Sequence, residues 1–224
     1  IELPPIVRFE RQGGGKEAIE NAAKLLSKAK FPVILSGAGV VLGGAIDECK
    51  KLAEKLDAPV CNGYQHNDSF PGSHPLAVGP LGYNGSKAAM ELISKADVVL
   101  ALGTRLNPFS TLPGYGIDYW PKKATIIQVD MNPDRIGLTK KVSVGICGDA
   151  KQVAQQILDK LSSDAGNTGR EERKNLIHKT KSAWLQTLSG LDHEEDDPGT
   201  VWNKEARERD KDRMSPSCLL YTSD

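Results

Sequence analysis

The chain has 224 residues, with 29 Lys plus Arg set against 29 Asp plus Glu, and is 39% hydrophobic and 26% charged. A net charge of zero provides no field to draw it to nucleic acid or an anionic membrane, and its apolar stretches fall far short of the ~20 residues that span a bilayer. Membrane spanning is thereby excluded and polyanion binding disfavoured, and the length allows one domain with an appendage or two small domains.

Residues 1–15 open on Ile1-Glu2-Leu3-Pro4-Pro5, without an initiator Met, and read as an interdomain linker, so the chain is expected to be a fragment. From Lys16 to Ala29, Ile19, Ala22, Ala23 and Leu26 recur at helical spacing before Pro32. Pro32-Val33-Ile34-Leu35-Ser36 is too short for a helix and reads as a buried strand ending in Gly37-Ala38-Gly39. Ala45, Cys49, Leu52 and Leu56 give a second helical face, followed by the strand Ala58–Cys61.

The same order repeats downstream. Ala88, Ala89, Leu92 and Ile93 lead into Asp97–Gly103; Thr125–Val129 is a further continuous apolar strand, and Val142–Ile146 an edge candidate. Continuously apolar strands need cover on both faces, as in a parallel sheet sandwiched by helices. Val153, Ala154, Ile157, Leu158 and Leu161 form a helix that Asp149 is placed to cap. The expected fold is α/β, an open, mostly parallel, doubly wound sheet with helices on both faces, occupying residues 16–162.

Residues 163–213 read as a charged helical linker. Ser162 to Gly169 is rich in turn formers and is expected not to pack. Arg170 to Leu188 carries a weak stripe through Ile177, Trp184 and Leu188, the mark of a helix docked on something else, with Trp184 expected to be exposed in isolation. Asp192 to Asp197 reads as a solvated hinge rather than a cation site, because contiguous acids cannot all converge on one ion, and Trp202 to Arg213 is expected to be mobile. Cys49, Cys61, Cys147 and Cys218 lie too far apart for a CxxC motif and read as reduced, mostly buried thiols.

In an open parallel sheet, ligands bind beyond the carboxyl ends of the strands. Here those ends carry Gly37 and Gly39, Gly103 with Thr104 and Arg105, Asp130, and Gly148 with Asp149. Glycine allows close backbone approach, Arg105 offers donors to phosphate, and Asp130 an acceptor for a ribose hydroxyl. This is a candidate nucleotide site, and the need of any α/β sheet for glycine in its turns accounts for the pattern equally well. Gly37, Gly39 and Gly43 space as GxGxxxG, not GxGxxG, which argues against a dehydrogenase. The polar run Tyr64-Gln65-His66-Asn67-Asp68 follows a strand, and His66 and Asn67 are the candidates for facing an active site, although a loop His is more often only hydrogen-bonded. No GxSxG elbow or activated Cys is present.

The runs Tyr64–Gly72, Gly79–Lys87, Leu102–Phe109, Tyr115–Pro121 and Asp134–Lys140 resemble the sulfoacetaldehyde acetyltransferase family, thiamine-diphosphate enzymes similar to acetolactate synthase. The resemblance covers residues 1 to 213 and corresponds to the central of three α/β domains. It implies that the parent enzyme, not this fragment alone, converts sulfoacetaldehyde and phosphate to acetyl phosphate and sulfite with thiamine diphosphate and Mg2+. The family's ylid-activating Glu and its GDG diphosphate motif belong to the N- and C-terminal domains, so no catalytic or metal residue is assigned here. In acetolactate-synthase relatives the central domain holds FAD or ADP, and the matching positions are Gly37, Gly39, Gly103, Arg105, Asp130, Gly148 and Asp149. The implied partners are the missing domains and further copies in a cytoplasmic homo-oligomer. Residues 214–224 depart from the pattern and read as a truncation or read-through tail. An acetolactate-synthase-like carboligase fragment and a stand-alone ADP or FAD regulatory module are the alternatives.

Overall fold

The computed structural model describes residues 11–82 and 85–192. The expectations for residues 1–10, for the acidic run beyond Asp192, for Trp202–Arg213, for the tail and for Cys218 lie outside them.

Six strands make one parallel sheet: β1 (Pro32–Ser36), β2 (Val60–Asn62), β3 (Ala77–Pro80), β4 (Val98–Leu102), β5 (Thr125–Asp130) and β6 (Val144–Cys147), in the order β3-β2-β1-β4-β5-β6. Every residue of β1 and β4 is buried, which explains their unbroken apolar runs. Around the sheet lie α1 (Lys16–Lys28), α2 (Ala38–Gly43), α3 (Ile46–Leu56), α4 (Lys87–Ile93), α5 (Ala150–Lys160) and α6 (Arg170–Asp192). Helices α1 and α3 both pack on α5, whereas α4 packs on β2, β3 and α6. The crossover through α3 runs from β1 to β2 and that through α4 runs back from β3 to β4, so a shared right hand puts the two helices on opposite faces. The doubly wound parallel sheet expected from the sequence is what forms.

Two elements differ from the sequence reading. Strand β3 was not expected, since Ala-Val-Gly-Pro has little strand character of its own; pairing with β2 at the sheet edge, across an irregularity at Val60/Cys61, makes it one. Helix α2 begins inside the glycine turn and stops at Gly44, whose φ of 63° lets its amide reach back to Val41 O at 3.0 Å.

The segments read as linkers are also bound to the sheet domain. Asp149 N donates to Gln12 O at 2.6 Å and Gln156 Nε2 to Gly13 O at 3.0 Å, so residues 11–15 form a strap along α5. In the segment expected not to pack, Ala165 is buried and Gly166 lies so close to the backbone of Leu56 that a Cβ would meet its Cα at 2.8 Å. The partner of the final helix is present within the chain: Trp184 and Leu188 are buried with Ala88 of α4, and Trp184 meets Tyr115 edge-on at 5.7 Å. Trp184 is therefore not exposed, as the sequence reading had it, because α4 supplies the apolar face it needs.

Arg173 secures the start of this helix. It is 1% exposed and donates to five carbonyls: Lys30 (2.6 Å) after α1, Leu56 (2.9 Å) and Asp57 (2.9 Å) at the end of α3, and Gly166 (2.5 Å) and Thr168 (2.9 Å) in the connection. All five N–H donors of a guanidinium are directional, which suits it to gather carbonyls left over where helices end. Arg170 adds an ion pair with Asp57. Among the described residues the cysteines are free thiols, Cys49 and Cys61 buried and Cys147 half-buried, as expected, and no helix is long and apolar enough to cross a membrane.

Replacing Arg173 by Ala leaves those carbonyls buried without donors and is expected to lower unfolding stability by about 3–5 kcal/mol, read from the urea midpoint at constant m. Burial raises the Cys49 thiol from 9.0 to about 12 and pushes Cys61 up as well. Both groups hold their proton more tightly folded than unfolded, so their effect on stability is constant below about pH 9. It is lost as pH climbs from there toward 12, by about 1.4 kcal/mol per thiol per pH unit. Cys49→Ala is expected to flatten the alkaline fall in stability measured between pH 9 and 11.

Candidate functional site: a cleft at the carboxyl ends of the strands

Because all six strands are parallel, their carboxyl ends share one edge, and a cleft of about 500 Å³ opens there. Of the sequence candidates it brings together Gly39, His66, Gly103, Arg105, Asp130, Gly148 and Asp149. Gly37 does not line it, nor does Asn67, whose side-chain oxygen is buried without a partner.

The floor is set by backbone contact between the turns after β1 and β4. A Cβ at Gly39 would stand 2.7 Å from Gly103 Cα, and one at Gly37 would stand 2.7 Å from Gly103 O and 2.6 Å from Thr104 Cβ. Gly103 has φ 61°, and Gly39 N donates to its carbonyl at 2.8 Å. These glycines are thus explained by packing of one turn on the other. The same contact engages the Gly39 amide, which a dinucleotide fold offers to phosphate. At Gly148 a Cβ would meet Gln12 O and Gly14 N at 2.8 Å, so this glycine makes room for the strap.

Asp149 is buried and caps α5, its Oδ1 accepting from Lys151 N and Gln152 N at 3.1 Å. Its Oδ2 lies 3.7 Å from Arg11 Nη1, which donates to Gly43 O at 2.6 Å. Both polar ends of that wall are engaged with each other. Asp130 is half-buried, and its Oδ1 accepts from Asn132 N at 2.8 Å, turning the chain after β5. Arg105 and Arg135 are exposed at the cleft, and neither has a carboxylate partner among the described residues. They are the groups free to meet an anion.

Arg11, Gln65 and Arg135 were missed in the sequence. Arg11 sat in a presumed linker, and Arg135 follows a turn whose direction is set by buried Gln128, which donates to Thr104 O (3.1 Å) and Arg135 O (3.2 Å) and accepts from Gly137 N (2.9 Å). A lone Gln within an apolar strand was the available signal. Gln65 stands at φ 68°, a left-handed conformation rare for a residue with a side chain, at the lip beside His66. Among the described residues no three His, Cys, Asp or Glu side chains gather as metal ligands. The donor set of this cleft, guanidiniums and glycine turns, does not fit a magnesium–diphosphate clasp, which requires converging oxygen ligands.

Residues 19–157 match the family model described as "Thiamine pyrophosphate enzyme, central domain". A protein of Rhizobium meliloti (strain 1021) named "Probable sulfoacetaldehyde acetyltransferase" is 77% identical over 96% of this chain and 36% of its own length. The "Sulfoacetaldehyde acetyltransferase" of Roseovarius nubinhibens is 74% identical over the same shares. The "Acetolactate synthase large subunit" of Buchnera aphidicola is 36% identical over 67% of this chain and 26% of its own. The chain spans about a third of the length of the first two of these relatives. By the match over residues 19–157, which covers the whole parallel sheet, the chain belongs to the family of thiamine pyrophosphate enzyme central domains.

Proposed function

We propose that this chain is the central domain of a longer thiamine-diphosphate-dependent acyltransferase that converts sulfoacetaldehyde and phosphate to acetyl phosphate and sulfite. The observation that carries this reading is the 77% identity, over 96% of the chain, to a relative named "Probable sulfoacetaldehyde acetyltransferase". The conversion balances without an external oxidant or reductant, because C1 is oxidised to the acyl level while C2, losing sulfite, is reduced to methyl. Thiamine diphosphate, with its Mg2+, supplies the electron sink for such chemistry. Its clasp comes from other domains in this reading, since the residues here do not fit one. A unit that runs from the strap at residues 11–15 through α6, a connection from there to a further domain, assembly into a homo-oligomer and a cytoplasmic location belong to the same proposal.

Within it, this chain contributes the strand-end face. His66 lines the cleft, and Arg105 and Arg135 present positive charge where sulfonate, phosphate and acetyl phosphate are all anions. Asn67, whose side-chain oxygen is buried and which does not line the cleft, is given no role towards substrate.

A second reading, a site for ADP or FAD in the cleft, is favoured by those two unpaired guanidiniums beside Asp130. With the Gly39 amide engaged by Gly103, the phosphates of such a ligand would be held by Arg105 and Arg135 and not by the glycine turn.

In the full-length protein, sulfite release from sulfoacetaldehyde is expected to require phosphate, thiamine diphosphate and Mg2+, and the 224-residue chain alone is expected to give none. Formation of acetolactate from pyruvate, with no sulfite release, would favour the carboligase alternative and overturn the first reading. His66→Ala is expected to lower kcat/KM for sulfite release at least about 10-fold. Calorimetry of the 224-residue chain with ADP, FAD and NAD tests the second reading. Saturable ADP or FAD binding, weakened about 10-fold by Arg105→Gln, would support it, and the absence of heat with all three nucleotides would remove it.

A further inference from the structure

The loop that carries His66 rests on a buried polar cluster that the sheet alone does not require. Ser36 ends β1, Asn62 ends β2, and Ser69 closes the short 3-10 turn Asn67–Ser69; their exposures are 0%, 4% and 0%. Buried amides and hydroxyls lose their water and regain it only in geometry that satisfies them, so such a cluster specifies one arrangement of the chain around it. Here the arrangement converges on a single acceptor. The His66 carbonyl receives Ser69 N at 3.1 Å, Ser69 Oγ at 2.8 Å and Asn62 Nδ2 at 3.2 Å. Asn62 Nδ2 also lies 3.0 Å from Ser69 Oγ, and Ser36 Oγ donates to Ser69 O at 3.1 Å.

The other side of the residue is held as well. His66 N donates to Gly63 O at 3.0 Å, Tyr64 N to Ser110 Oγ at 2.9 Å, and the Tyr64 ring stacks on Phe109 at 6.0 Å. Gln65 between them is kept in its left-handed conformation. By contrast the imidazole of His66 has no hydrogen-bond partner among the described residues and lines the cleft. A backbone fixed on both flanks and a ring left free is the arrangement of a preorganised recognition group.

We propose that Asn62 and Ser69 are positioning residues, which hold the His66 carbonyl so that its imidazole is presented to an anionic reactant in the cleft. This rests on the reading above that His66 faces the reaction. The test is a double-mutant cycle in the full-length enzyme, with sulfite release as the readout. Asn62→Asp keeps the shape of the side chain and removes its donor, and Ser69→Ala removes the second donor with a smaller change in volume. Each is expected to lower kcat/KM about 10-fold or more. Combined with His66→Ala, each is expected to add nothing to the loss that His66→Ala causes alone, whereas their effects on Tm persist in that background.

Losses that multiply with His66→Ala would overturn the positioning role while leaving His66 in the reaction. Unchanged turnover in His66→Ala would instead remove the reading of the loop, and with it the object being positioned. Should Asn62→Asp fail to fold, the Ser69→Ala cycle decides the question by the same criterion.

Discussion

The contact on which the site depends is the touching of two backbones, at Gly39 and Gly103, where the strand order reverses between β1 and β4. A parallel sheet leaves a crevice at such a reversal. In this chain the crevice floor is closed by the two turns meeting at a separation no Cβ would tolerate, with Gly39 N bonded across to Gly103 O. Two consequences follow. The Gly39 amide is already bonded where a dinucleotide fold would seat a diphosphate, and charge recognition passes from backbone amides to the side chains Arg105 and Arg135.

The walls obey the same logic of groups engaged with one another. Asp149 meets the free amides of α5 and the guanidinium of Arg11, so this buried acid is neutralised by the chain itself. Beside the half-buried Asp130 carboxylate, what stays free is two guanidiniums and the imidazole of His66, and two cations against one acid leave a surface that prefers an anion. That preference agrees with the proposed reaction, in which both substrates and both products carry negative charge.

Much of this was legible in the sequence, for physical reasons specific to each element. Strands β1, β4 and β5 announce themselves because burial on both faces demands unbroken apolar runs, and α1, α3 and α5 because burial on one face demands a 3.6-residue period. Strand β3 was not legible, since four residues including Gly and Pro become a strand only by pairing with β2. The cleft was foreseen as a set of strand ends, but the functions of its glycines were not separable there: whether a glycine admits a ligand or a neighbouring turn is a matter of which backbone arrives opposite it. Arg173 was hidden for a related reason. It stands in the charged run Arg170-Glu171-Glu172-Arg173-Lys174, yet it begins the buried series Arg173, Ile177, Thr180, Trp184 and Leu188, so helical position rather than residue type marked it as interior.

That series changes what counts as the unit of folding. A cut placed by composition at the Ser- and Gly-rich segment after α5 would separate a guanidinium from the helix ends it ties together and would strip α4 of its cover. Any graft or excision of this sheet must therefore take α6 with it: the piece that looks like a tether is a brace, and the transplantable module ends with the brace, not before it.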